Sequence, residues 1–313
     1  MPELPEVESI RRTLAPYLLG QAVLDAALHR RDVLIAPGDP PGGHARQRIA
    51  GSARKRRPAR ISAADLLQDT TITDLVRRGK QLAIIAHAHD SSTHALVVQL
   101  GMTGNLTFLP AGHEPPGSHL HASWRFRRGT LCFTDPRRFG ALRIFRSTAA
   151  LDEHFSTLGP DALNITTDDL ARAVHGSRRP IKAALLDQAL LAGVGNIYAD
   201  EALFLARINP RTTAARISAP ATHRLADAIR TVLAESVSAG GSTLRDFADA
   251  DGRPGAYQAS HRVYGRGGLP CPNCGSPLST RLLAQRTTVW CPDCQPAKPH
   301  REIPTIFPHR ASR

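Results

Sequence analysis

Cys271-Pro-Asn-Cys274 and Cys291-Pro-Asp-Cys294 are two C-x2-C pairs separated by sixteen residues. At that spacing two tight turns deliver four thiolates to one metal ion, and the stretch between them makes a β-hairpin. Zinc is the expected ion, with iron in the same cage or two redox pairs as alternatives. Four sulfurs close the coordination sphere, so the metal is structural and any chemistry has to come from elsewhere. Cys132, alone in an apolar run, reads as a buried small hydrophobe.

The N-terminus, MPELPEVE, offers a different kind of chemistry. A small second residue favours removal of the initiator Met, which makes Pro2 a secondary amine. An α-amino group titrates near neutrality, so a good share is unprotonated and nucleophilic at pH 7. Attack on an aldehyde-like sugar carbon gives an iminium, an electron sink that permits elimination, and Glu3 beside it is placed to move protons. The plainer reading of Pro2 is a proline in a first helical turn. Only four of the forty basic residues are lysines, Lys55, Lys80, Lys182 and Lys298, in a chain that otherwise uses Arg for charge. Lysine is the base that gives up its proton when desolvated, so each position invites a question. Arg286 near the turn of the cysteine hairpin is either a solvated charge or an arginine delivered to a phosphate or groove. AGVGN, ending at Asn196, places glycines before a helix whose N-terminal amides suit a phosphate, with Lys182 on a neighbouring helix.

The elements that must position these groups follow from the pattern. Residues 1–20 read as a helix with Val7, Ile10, Leu14 and Leu18 in one apolar stripe. Residues 21–35 look like a strand. From Ile72 to Phe145 the pattern is β, with runs such as QLAIIAH, HALVVQLG, HASWRF and ALRIF punctuated by RRGK, HDSST and RRGT turns, and it predicts a sandwich or barrel. A hinge is expected over 149–162. Helices are expected from Thr166 or Thr167 to His175, from Pro180 to Leu191, over Ile197–Ala206 and over Pro220–Ser238. The fold class is therefore α+β, divided into 1–148, a hinge, a helical domain at 163–262, a zinc hairpin at 263–296 and a mobile tail at 297–313. Residues 37–62 form a Pro-, Gly- and Arg-rich insertion without apolar period, read as solvated.

Composition bounds the partners. The chain has 313 residues, 40 Lys+Arg and 27 Asp+Glu, a formal charge of +13. That length favours two domains, and 42% hydrophobic residues can pack them. The charge points to a polyanion, nucleic acid first. Aromatic content of 5% argues against a reader that stacks many single-stranded bases. With no long apolar run and no signal peptide, a soluble intracellular monomer without membrane contact is expected, cytoplasmic and, in a bacterium, on the nucleoid.

Taken together, these motifs resemble the formamidopyrimidine-DNA glycosylase and endonuclease VIII family of repair enzymes. The resemblance covers nearly the whole chain: PELPEVE, RRGK at Arg77–Lys80, QLGMTG at Gln99–Gly104, TDPRRFG at Thr134–Gly140, RPIKAALLDQ through AGVGNIYADEALF, GGSTLRDFADADGRPGAYQ, and VYGR with the zinc hairpin and AQRTT. It implies an N-terminal helix and β-sandwich facing a helix-two-turns-helix domain with a zinc hairpin, one structural zinc, and damaged double-stranded DNA in the cleft between. The base is flipped out, Pro2 attacks the sugar, and β- then δ-elimination follows. By match, Pro2 is the nucleophile, Glu3 the proton donor, Lys80 the lysine that assists elimination and Arg286 the phosphate grip. His119, Arg137, Arg178, Lys182 and Asn196 match DNA contacts. Met102, Arg137 and Phe139 match the residues that fill the void left by the flipped base, although Met102 and Phe139 alone would read as core. The loops favour oxidised purines, 8-oxoguanine and formamidopyrimidines. An endonuclease VIII-like preference for oxidised pyrimidines and a non-catalytic DNA-binding paralogue are the other readings. Gln99 stands where many relatives carry histidine.

Overall fold

The computed structural model describes residues 2–35, 61, 64–244 and 247–297. The basic insertion read at 37–62 lies outside these residues except for Ile61, as does the tail after Ala297.

Helix α1 runs over Leu4–Leu18 and joins two cores. Its apolar stripe, Val7, Ile10, Leu14 and Leu18, is buried in the sandwich core, whereas Leu4 belongs to the core of the helical half. One helix thus buries two faces against two partners, which the 3.6-residue period allows.

The sandwich is built from β1 (Asp25–Leu28), β2 (Thr70–Arg78), β3 (Gln81–Ala88), β4 (Thr93–Gln99), β5 (Asn105–Pro110), β6 (Leu120–Phe126), β7 (Gly129–Thr134) and β8 (Ala141–Phe145). Two antiparallel four-stranded sheets, ordered β1-β6-β7-β5 and β2-β3-β4-β8, face one another. Leu82, Ile84, Leu96, Val98, Leu106, Trp124, Leu131 and Phe133 alternate inward and fill the space between them. Residues 21–35 are not one strand as expected. Only Asp25–Leu28 pairs with β6, and Arg30 bonds Asp32 to turn the chain into a short 3-10 helix at Arg31–Val33.

Segment 149–162, expected as a hinge, holds helix α2 (Thr148–Ser156), capped by the Ser147 hydroxyl accepting from Ala150 N at 3.2 Å. Leu151 packs with Ala83, Ala95, Val97 and Phe145 on the outer face of the β3/β4/β8 sheet. The helical half follows: α3 (Thr167–His175), α4 (Ile181–Leu185), α5 (Asn196–Leu205) and α6 (Ala219–Ser238). α3 begins in a Thr166/Asp169 capping box. α4 stops at Leu185, short of the expected Leu191. Asp187 turns the chain there, its carboxylate accepting from Ala189 N at 3.0 Å and pairing with Arg179 at 2.9 Å. Two turns then lead to α5, giving the helix-two-turns-helix arrangement. β9 (Ser279–Leu283) and β10 (Arg286–Trp290) form the cysteine hairpin. Among the described residues no helix is long and apolar enough to cross a membrane.

Candidate active site

Three segments distant in sequence meet at the start of α1. The Leu4 N–H donates to the Gly193 carbonyl at 3.2 Å, and Ile197 N, in the first turn of α5, donates to Glu3 Oε1 at 3.0 Å. Glu3 therefore caps a helix formed almost two hundred residues later. The AGVGN loop is shaped for this: a Cβ on Gly195 would fall 2.2 Å from the Glu3 carboxyl carbon, closer than any side chain tolerates. Glu3 itself is 1% exposed, and its second oxygen, Oε2, is buried without a protein partner. Pro2 is buried beside it.

Glu6, three residues on, fastens the other side. Its Oε2 accepts from Glu3 N at 2.8 Å and its Oε1 from Ser242 N at 2.7 Å and from the Tyr198 hydroxyl. The chain of bonds continues from Tyr198 to Ser236 Oγ at 2.6 Å, and Ser242 Oγ lies 3.0 Å from His261 Nε2. Burial, helped by the neighbouring Glu3 charge, pushes the Glu6 carboxyl above its ordinary range. From the sequence Glu6 suits the positive end of the helix dipole and is not among the candidate site residues. Its other sequence signal is the three-residue spacing from Glu3.

Lys80 ends the RRGK turn between β2 and β3 and is half-buried. Desolvation lowers its pKa, Arg286 lowers it further, and the Glu3 and Glu6 carboxylates oppose the shift. Lys80 thus lies within the field of Glu3, Glu6 and Arg286, and Pro2 adjoins Glu3 in the chain. Arg286 is exposed at the hairpin turn, next to Ala284 and Gln285 with positive φ.

The proposed void-filling residues lie on two loops at the sandwich edge. Asp135 is fully buried and binds both: Oδ1 accepts from Thr103 Oγ1 at 2.6 Å and Arg137 N at 3.1 Å, and Oδ2 accepts from Gly140 N at 2.6 Å. Gly101 has φ +66°, and a Cβ there would meet the Phe139 carbonyl carbon at 2.4 Å. The loops are locked face to face while Met102, 37% exposed, and Arg137, whose guanidinium lies 5.0 Å from the Phe139 ring centroid, project outward. Phe139 is only half-buried, so neither it nor Met102 is core.

His119 and Arg178 are exposed. Asn196 opens α5 and gives its Nδ2–H to the Thr287 carbonyl at 3.1 Å, leaving Oδ1 buried without a partner. Lys182 corrects the sequence reading. Expected at a DNA phosphate, it is instead 0% exposed, with Nζ 2.7 Å from Asp200 Oδ1 and bonded to the Thr287 carbonyl and Thr288 hydroxyl at 3.0 and 2.9 Å. A lysine so enclosed has no hydrogen left for a phosphate. Asp200 Oδ2 also accepts from Val289 N at 3.1 Å. Lys182, Asp200 and Asn196 thus clamp β10, and with it Arg286, onto the helical half.

The four cysteine sulfurs lie within 4.8 Å of one another, with Cys271 to Cys294 at 3.9 Å and Cys274 to Cys291 at 3.5 Å. A tetrahedral zinc with Zn–S of about 2.3 Å sets sulfurs roughly 3.8 Å apart, so the cage fits. Asn273 Nδ2 donates to Cys294 Sγ at 3.1 Å and Cys294 N to Cys291 Sγ at 3.4 Å, the donor pattern that thiolate ligands attract. One zinc ion is held here, and it serves the hairpin.

Comparison with known proteins covers most of the chain. Residues 1–142 match the model of the formamidopyrimidine-DNA glycosylase N-terminal domain, residues 158–248 that of the formamidopyrimidine-DNA glycosylase H2TH domain, and residues 268–297 a zinc finger found in FPG and IleRS. The chain is 40% identical over 298 residues to the formamidopyrimidine-DNA glycosylase of Stenotrophomonas maltophilia, covering 94% of this chain and all of that one. Among solved structures, the MutM (FPG) protein of Thermus thermophilus is 40% identical, with TM-score 0.75, covering 94% of this chain and 98% of that one. The Lactococcus lactis Fpg in complex with an abasic-site DNA is 29% identical, with TM-score 0.77, covering 95% of this chain and 100% of that one.

Proposed function

Because the chain belongs to the formamidopyrimidine-DNA glycosylase family, we propose that it is a bifunctional DNA glycosylase and abasic-site lyase of base excision repair that removes oxidised purines from damaged duplex DNA. A Lactococcus lactis relative at 29% identity has been captured on DNA containing Fapy-dG, which supports the purine preference.

In the processed chain the Pro2 nitrogen attacks the sugar C1′. A bond forms from nitrogen to C1′ as the glycosidic bond breaks, and the base leaves with that electron pair. Glu3 donates the proton that departure requires, using Oε2 while Ile197 holds Oε1. The sugar ring then opens to an iminium: the C1′–O4′ bond breaks and the proton carried by the Pro2 nitrogen passes to O4′. Loss of a C2′ proton expels the 3′ phosphate, and a second elimination expels the 5′ phosphate, leaving a one-nucleotide gap. Lys80 assists these proton transfers, and the burial that lowers its pKa from the ordinary lysine value favours the neutral, proton-accepting form. Arg286 grips the phosphate flanking the lesion. Met102, Arg137 and Phe139 occupy the vacated stack, an apolar wedge plus one bidentate donor for the widowed base. His119, Arg178 and Asn196 contact the DNA backbone, and Lys182 supports the hairpin from behind. The active form we propose is a monomer without membrane contact, cytoplasmic and, in a bacterium, beside the chromosome.

The observation that carries this reading is Glu3: held on one oxygen, unpartnered on the other, adjacent to Pro2 and within the field of Lys80. Borohydride trapping on a duplex with 8-oxoguanine opposite cytosine, beside an oxidised-pyrimidine duplex, tests it. The expected result is a covalent adduct mapping to Pro2 on the 8-oxoguanine duplex. An adduct chiefly on the pyrimidine duplex overturns the purine preference, and tight binding without an adduct on either overturns the catalytic reading.

A further inference from the structure

Arg77, three residues before Lys80, is a buried cation with no solvent role, its side chain only 7% exposed. Its guanidinium forks onto Asp161, Nη1 to Oδ2 at 2.7 Å and Nη2 to Oδ1 at 3.0 Å. Nε reaches Glu8 Oε2 on α1 at 3.1 Å, and Nη1 also reaches the Gly79 carbonyl at 3.1 Å. Asp161 closes the loop, its Oδ2 accepting from Gly79 N at 2.8 Å. Both polar groups of Gly79 are therefore held by this one ion pair, and the Gly79 carbonyl belongs to the peptide that carries Lys80. Asp161 does not belong to the sandwich. It lies on the link to the helical half, where Ala192 N donates to Pro160 O and Ala162 N to Ala192 O, each at 2.9 Å, just ahead of the glycines that cradle Glu3. The same carboxylate that grips the Lys80 turn is thus tied, through two backbone bonds, to the loop that positions Glu3.

We propose that Arg77 and Asp161 are positioning residues for the reaction: their ion pair sets Lys80 against Glu3 across the joint between the two halves of the molecule. A bidentate Arg–carboxylate pair defines two distances and a plane, which a monodentate contact does not. Misplacing a proton-transfer group by about 1 Å costs on the order of 100-fold in rate, so such a device has work to do. Both side chains are nearly buried and spent on protein partners. Both act through Lys80.

This inference rests on the proposed function, and its test separates the two. Strand cleavage of a preformed abasic-site duplex is measured in single turnover for wild type, Asp161→Asn, Lys80→Ala and the double variant, with thermal midpoints and the active fraction from trapping alongside. Positioning through Lys80 predicts that Asp161→Asn lowers the rate about tenfold or more when Lys80 is present and less than about twofold in the Lys80→Ala background. It also predicts that the limb of the pH–rate profile belonging to Lys80, which faces Glu3, Glu6 and Arg286, moves up toward the ordinary lysine range as the loosened turn admits water. Equal losses in both backgrounds, or an unmoved pH profile with a reduced active fraction, overturn the proposal while leaving the function intact. A wild-type protein that cleaves nothing overturns the function and the inference with it. Should Asp161→Asn not fold, Arg77→Lys, which keeps the charge but loses the fork, carries the same cycle with the same criteria.

Discussion

Lys80 and Arg286 lie within each other's field, and the protein holds them by opposite means. Lys80 sits on a two-residue turn between β2 and β3, strands whose inward side chains belong to the sandwich core, and the turn is fastened by Arg77 and Asp161. Arg286 sits on a two-stranded hairpin whose own cluster is small: Phe204, Val263, Cys271, Leu278, Val289 and Cys291. Much of β9 is exposed, with Leu282 at 74%. So little buried surface does not order a hairpin, and a metal with a buried ion pair substitutes for it. The difference suits the tasks proposed for them. Proton transfer needs a fixed distance and is built into a close-packed layer. Gripping a phosphate needs a charge within reach, which a metal-stapled arm supplies.

The contrast breaks outright if the covalent step does not belong to the N-terminal side. Pro2→Gly, in a chain processed to expose residue 2, is expected to lower trapping and base release by at least about 1,000-fold, the usual cost of losing the nucleophile that splits a reaction into two steps. Duplex binding should change little by comparison. Undiminished trapping would transfer the nucleophile elsewhere. On the other arm, chelating the zinc or replacing Cys291 by Ser should weaken DNA binding about 10- to 100-fold while the helical circular-dichroism signal persists. Unchanged affinity in metal-free protein would mean that the hairpin is held by its apolar cluster alone.

What was legible in the sequence divides along the same line. The cysteine spacing, the strands of the sandwich and the stripe Val7, Ile10, Leu14 and Leu18 are local patterns, and the structure carries all of them. Positions set by distant partners were not legible. Lys182 reads as a phosphate contact because nothing local tells an inward lysine from an outward one; its partner Asp200 lies on another helix. Arg77 stands in a recognisable RRGK turn, yet Asp161 is 84 residues away and has no pattern around it. The overrun of α4 toward Leu191 has a local cause, since a helical period continues through Asp187 until its carboxylate takes a backbone N–H for itself. The glycines of AGVGN looked like a phosphate turn, whereas Gly195 is small chiefly to admit the Glu3 carboxylate.

Lys182→Met sharpens the account of the hairpin clamp. Removing one partner leaves Asp200 in a buried site, a loss of about 3 kcal/mol when that carboxylate is charged. Burial pushes Asp200 up to about 7 even with Lys182 opposing the shift, so without the lysine it stands higher. An acid whose folded pKa is raised destabilises the fold above that pKa and is relieved as the proton binds below it. The variant should therefore lose most stability at pH 8 and recover part of it by pH 6, measured by urea unfolding. A loss independent of pH would mean that the substituted side chain disturbs packing and the charge is incidental.

The smallest expected effect probes the lysine turn from its far side. Glu8 faces Arg77 from α1 and also receives Arg11 and Arg12, at 2.7 to 3.1 Å. Burial acts to raise its pKa, but the three guanidinium groups outweigh it and hold the carboxyl at about 2. A depressed acid contributes stability that is complete above its unfolded value, near 4.5, and is lost as pH falls through the folded one. Glu8→Gln should cost about 1–2 kcal/mol at pH 7, less than the full shift implies because Arg11 and Arg12 are partly solvated and screened. The gap between variant and wild type, followed by urea unfolding at decreasing pH, should begin to narrow below about pH 4.5 and continue to close toward pH 2. A constant gap would assign Glu8 to packing. No gap at all would mean that Arg77 is held by Asp161 alone, and the fastening of the Lys80 turn would then reduce to that single pair.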